Sequence, residues 1–114
     1  MSKRPVELLL QDIRDAIDNI ESYILSMSKI DFLNDKKTID AVVRNLEIIG
    51  EAANRLPEEY RREKANIPWR SIIGLRHRIV HDYIGIDAEL IWQIVKRDVP
   101  ILKGNLPCKN RFGF

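Results

Sequence analysis

Apolar residues recur along this chain at helical intervals. Leu10, Ile13, Ile17, Ile20 and Ile24 are spaced 3, 4, 3 and 4 apart, one stripe that Leu9, Ala16 and Tyr23 broaden. Pro5 suits the first position of that helix. The pattern breaks over Ser28 to Lys37. It resumes as Ile39, Val42, Leu46, Ile49, Ala53 and Leu56, and Pro57 marks its end. Glu58 to Lys64 has room for a short polar helix. Pro68 opens a third helix with Asn66 as a candidate cap; Trp69, Ile72, Ile73, Ile79 and Val80 form its stripe and Gly85 is its stop signal. Asp87 caps a fourth helix carrying Ile91, Ile94, Val95 and Leu102, which Pro100 should kink or end.

No run alternates as a half-buried strand does, and no segment repeats. The expected fold is therefore all-α: an antiparallel four-helix bundle with room for one extra short helix. Residues 1–104 make the helical domain, and 105–114, which lack periodicity, a flexible tail.

Composition narrows the class. The 114 residues are 45% hydrophobic and 32% charged, which suits one soluble core and argues against disorder. No apolar run approaches the roughly 20 residues of a membrane span. The charged first helix does not read as a signal peptide. A single cysteine, Cys108, cannot form an internal disulfide, which fits a cytoplasmic setting.

The net charge is only +2, but it is uneven: Arg55 to Arg78 holds seven basic and three acidic residues, and Lys96 to Phe114 five and one. An anionic partner would be drawn to the middle and the tail. A set of solvated helix faces would give the same distribution.

The chemistry concentrates in Arg76-His77-Arg78-Ile79-Val80-His81-Asp82-Tyr83, which contains both histidines of the chain. At 100° per residue Arg76 falls within the apolar arc of the third helix, where a guanidinium must snorkel, pair, or face a partner. On an ideal helix His81 lies about 140° from Arg76. Either the arginine reaches round, or the helix loosens, or the site is completed across a dimer. His77 and His81 have the spacing of a zinc pair, but Arg78, Ile79 and Val80 between them lack the glutamate of a metalloprotease helix, and the nearby arginines oppose a cation. Neither a metal nor an organic cofactor is expected. A phosphate-gripping arginine with a histidine that moves protons near neutral pH is enough to cut RNA without a metal.

These residues resemble the HepT-like group of HEPN-domain ribonuclease toxins, whose motif is Arg, four residues, His, one residue, Tyr. Here it reads Arg76, His81 and Tyr83, with His77 where the group favours a polar residue. The stretch Arg44-Asn45-Leu46-Glu47-Ile48-Ile49-Gly50-Glu51-Ala52-Ala53 resembles the group's second-helix signature, as does Pro68-Trp69 leading into Ile72-Ile73-Gly74-Leu75-Arg76. The resemblance covers roughly residues 5 to 103. It implies an all-α HEPN bundle acting as a homodimer, metal-independent cleavage of RNA, and a minimal nucleotidyltransferase antitoxin that adenylylates (AMPylates) Tyr83. Arg76 and His81 would be catalytic, with His77 and Arg78 in support. The rival expectation is a non-catalytic HEPN module that binds substrate or nucleotide beside a nucleotidyltransferase.

Overall fold

The computed structural model describes residues 4–81 and 85–107, with the backbone alone at 76, 80, 81, 85 and 86. Helix α1 (Val6–Ile24) starts one residue after Pro5, whose carbonyl accepts from the amides of Leu8 and Leu9. Its stripe is buried as the spacing predicts, except that Tyr23 is 42% exposed on the last turn. An amphipathic ring at a helix end can keep its hydroxyl in water.

The break between the first two stripes holds a short helix, α2 (Lys29–Leu33). Ser28 accepts from the Asp31 amide while the Asp31 carboxylate accepts from the Ser28 amide, a reciprocal cap. Asp35 then caps α3 (Lys36–Arg55) by accepting from Thr38. All six apolar positions expected for this stripe are buried, from Ile39 to Leu56.

Asn19 of α1 bonds Asn45 of α3, while Leu9 and Asp12 share a groove with Ile48 and Arg55. The two helices therefore run antiparallel. Helix α4 (Glu58–Glu63) is the expected polar segment and buries no residue.

The third helix is shorter and less regular than its periodicity suggests. It comprises α5 (Trp69–Ile73) and α6 (Leu75–Ile79), divided at Gly74. The carbonyl of Gly74 accepts from both His77 and Arg78, so a new turn begins there. Asn66 does not cap this helix. Its side chain donates to Asn105, at the far end of the chain's last helix, and Pro68 occupies the cap position without a side-chain bond.

Both segments lean on α3. A Cβ on Gly50 would lie 3.2 Å from the Ile72 carbonyl, so glycine is what lets α3 and α5 approach this closely.

The helix does not run to Gly85. It ends at Ile79, and the chain enters a two-residue strand β1 (Val80–His81), antiparallel to β2 (Gly85–Ile86), with Val80 opposite Ile86 and His81 opposite Gly85. Consecutive β-branched residues, Ile79 and Val80, favour that change. The Ile79 carbonyl accepts from the Asp87 amide at 3.4 Å, tying the end of α6 to the start of the next helix. So small a ladder leaves the class all-α.

Asp87 caps α7 (Ala88–Gln93) as expected, accepting from Leu90. The helix continues through a π turn at Ile94–Asp98, where the Val99 amide reaches back to the Ile94 carbonyl, into α8 (Val99–Asn105). Pro100 therefore neither ends nor breaks the helix. It has no N–H to donate, and the π turn has already interrupted the usual pairing just before it. Leu106 packs on the core, and Arg14 donates to the Pro107 carbonyl at 2.9 Å.

Among the described residues four main helical stretches and the short α2 thus enclose one apolar core, with Phe32 of α2 stacked at a tilt on Trp92, ring centroids 5.2 Å apart. No described helix is long and apolar enough to cross a membrane.

Candidate active site

The Arg76–Tyr83 segment spans the exit from α6. Leu75 and Ile79 are 4% and 0% exposed, and they anchor the helix in the core at either end. Between them, Arg76 is the second residue of α6 and His77 is exposed to solvent. His81 is the second residue of β1, on extended backbone. The helical phase that set His81 about 140° from Arg76 does not apply, because the helix ends before His81. For the same reason His77 and His81 do not share a helix face, and the zinc spacing loses its geometric basis. Among the described residues no three His, Cys, Asp or Glu side chains gather as metal ligands.

The side chains of Arg76 and His81, and Tyr83 as a whole, lie outside the described residues, as does Cys108. What is described is the frame: a helix end, a tight antiparallel pair and the cap of the next helix.

Arg78 has a partner that sequence reading missed. Its Nη2 donates to Asp98 Oδ2 at 3.3 Å and its Nη1 to Ser71 Oγ at 3.4 Å. The two charged side chains are 34% and 36% exposed. Arg78 thus links α6 to the π turn and to α5. A signal for Asp98 was present: on a regular helix it would fall about 20° from Ile91, in the middle of an apolar stripe. An acid at that phase needs a cationic partner or a change of helix geometry.

Elsewhere in the fold, Tyr60 and Lys103 are shifted from their ordinary titration. Burial raises the Tyr60 phenol, aided by the charge of Glu7; its buried hydroxyl has no hydrogen-bond partner among the described residues. Its ring meets Trp69 edge-on, with centroids 6.5 Å apart. Lys103 is raised by its hydrogen bond to Glu21.

The family model described as "Ribonuclease HepT-like" matches residues 13–107. A protein of Thermococcus cleftensis named probable ribonuclease HepT is 44% identical over 102 residues, spanning 90% of this chain and 93% of that protein. A protein of Methanocaldococcus jannaschii, provisionally named as an RNase, is 41% identical over 103 residues, 90% of this chain and 94% of that one. Another so named, from Caldanaerobacter subterraneus, is 35% identical over 98 residues, 86% and 84% of the two chains. No solved structure matches.

Proposed function

The chain belongs to the HepT-like ribonuclease family, and on that premise we propose that it is a metal-independent endoribonuclease, the toxin of a toxin–antitoxin pair. The observation that carries this reading is the family match over residues 13–107, which contains Arg76, His81 and Tyr83 in the motif's order.

In this reading RNA is cut by its own ribose. The 2′-hydroxyl attacks the adjacent phosphorus, His81 takes its proton, and the 5′-oxygen leaves with a proton from a second acid. The products are a 2′,3′-cyclic phosphate and a 5′-hydroxyl. An ordinary imidazole, with a pKa of about 6.5, can serve as base or acid near neutral pH. One motif histidine per chain is too few for both roles, so a homodimer supplies the second. Arg76 holds the scissile phosphate and offsets the charge that builds on its oxygens. Tyr83 orients His81 or the phosphate. Its AMPylation by a nucleotidyltransferase antitoxin places a bulky anion where RNA must bind.

The test is cleavage of RNA by the purified chain in excess EDTA. Cyclic-phosphate ends and loss of cutting in His81→Ala support the reading. Equal cutting by wild type and His81→Ala overturns it.

A further inference from the structure

We infer that Asp98, displaced from the core by the π turn, is the positioning residue that fixes the Arg76–His81 segment through Arg78. This rests on the reading of that segment as the ribonuclease site. Three observations lead here.

The first is helix phase. On a regular helix Asp98 would lie about 20° from Ile91, and Val99 about 80° away on the stripe's edge. The π turn at Ile94–Asp98 reverses this. Val99 is 3% exposed and Asp98 is carried to the flank, its side chain 36% exposed. The extra residue in the turn both spares the core a carboxylate and presents it to the third helix. π turns in otherwise regular helices often mark such functional adjustments.

The second is what Asp98 meets. Arg78 lies between Arg76 and His81, one residue from the end of α6. It makes one contact of 3.3 Å with Asp98 and one of 3.4 Å with Ser71, and Arg97 Nε lies 3.5 Å from the other Asp98 oxygen. Beneath them is a cavity of about 110 Å³ lined by Leu46, Ile49, Ile72, Leu75 and Leu102. Close packing therefore does not lock α6 to the fourth helical stretch at this point; the polar bridge spans the gap. Beyond Ile79 the backbone pairs at two ladder positions, and Ile79 itself accepts from the Asp87 amide.

The third is energetic. An ion pair about one-third exposed adds little to global stability. Its larger consequence is orientation, because a reacting group misplaced by about 1 Å can cost as much as 10²-fold in rate.

Asp98→Ala, Arg78→Ala and the double variant are compared with wild type in full-length protein. We expect kcat on RNA to fall roughly 10- to 100-fold in each, with KM within about threefold and Tm lower by no more than about 4 °C. The double variant should be no slower than the slower single one, since both remove the same bridge. Asp98→Asn, which keeps an acceptor for Arg78, should recover part of the rate. Backbone amide resonances of Arg76 to His81 should shift in Asp98→Ala.

Unchanged kcat in Asp98→Ala, or losses that multiply in the double variant, overturn the assignment. A rate that falls only in proportion to unfolding does so too. If wild type does not cut RNA, the ribonuclease reading fails and the amide resonances still decide the bridge: shifted, it orients the segment; unmoved, it does not.

Discussion

The side-chain amide of Asn19 donates to Asn45 Oδ1 at 3.0 Å, and Asn45 in turn donates to the Ala41 carbonyl at 2.9 Å. Asn45 is 5% exposed among apolar neighbours on α3, so this small network crosses the most extensive helix contact in the fold. Buried polar groups must be paired, and the pairing sets the register of α1 against α3. Asn45→Ala should therefore destabilise the protein by about 1–2 kcal/mol, measured as a lower urea midpoint with an unchanged m-value. A rise in the midpoint would mean that the network does not stabilise the fold.

Catalysis is the most direct prediction of the family assignment. Cleavage should survive chelation, and His81→Ala and Arg76→Ala should each lower the rate by about 10² or more. Both chains should keep the wild-type circular dichroism spectrum. Single-turnover assays on a labelled RNA check this, with product ends identified by their resistance to phosphatase. Linear 3′-phosphates from the first time point would contradict attack by the 2′-hydroxyl.

Assembly follows from the same chemistry. A site that needs two imidazoles and has one motif histidine per chain should exist in a homodimer. Light scattering at micromolar concentration is expected to report twice the chain mass. Adding excess His81→Ala chains to wild type should suppress cleavage, because a mixed dimer holds one imidazole where the proposed site needs two. A monomer that cuts RNA at full rate would remove the dimer from the mechanism.

Regulation should act through Tyr83. Incubation with the cognate nucleotidyltransferase, ATP and magnesium is expected to add AMP to that residue and abolish cleavage, because the adduct brings negative charge to a phosphate-binding site. Intact-mass spectrometry and peptide mapping locate the modification. Tyr83→Phe should remain unmodified. Silencing of the unmodified chain by complex formation alone would mean that the switch takes another route.

The apolar repeat of 3 and 4 was enough to assign α1 and α3, because a long amphipathic stripe has one way to be buried. The caps at Asp35 and Asp87 follow from local chemistry in the same way, although only Asp87 was anticipated. The order Arg76, His81, Tyr83 and the α3 signature were likewise legible, since a family pattern is carried by residue order.

Tertiary structure decided where helices stop and how they bend. Ile79 and Val80 continue an apolar helical stripe, yet the chain leaves the helix there and pairs with Gly85–Ile86. Periodicity cannot distinguish these outcomes when the competing strand is two residues long. At Asp98 a regular 100° step puts a carboxylate in the core, and the π turn removes it to where Arg78 waits. Burying a lone charge costs more than inserting a turn, but only the folded neighbours reveal which escape the chain takes. Sequence by itself thus determined the long helices α1 and α3 and the family to which the chain belongs. The packing of α5 and α6 on α3 and the Arg78–Asp98 bridge to the fourth stretch determined the frame that holds the segment, because that frame depends on contacts between residues far apart in the chain.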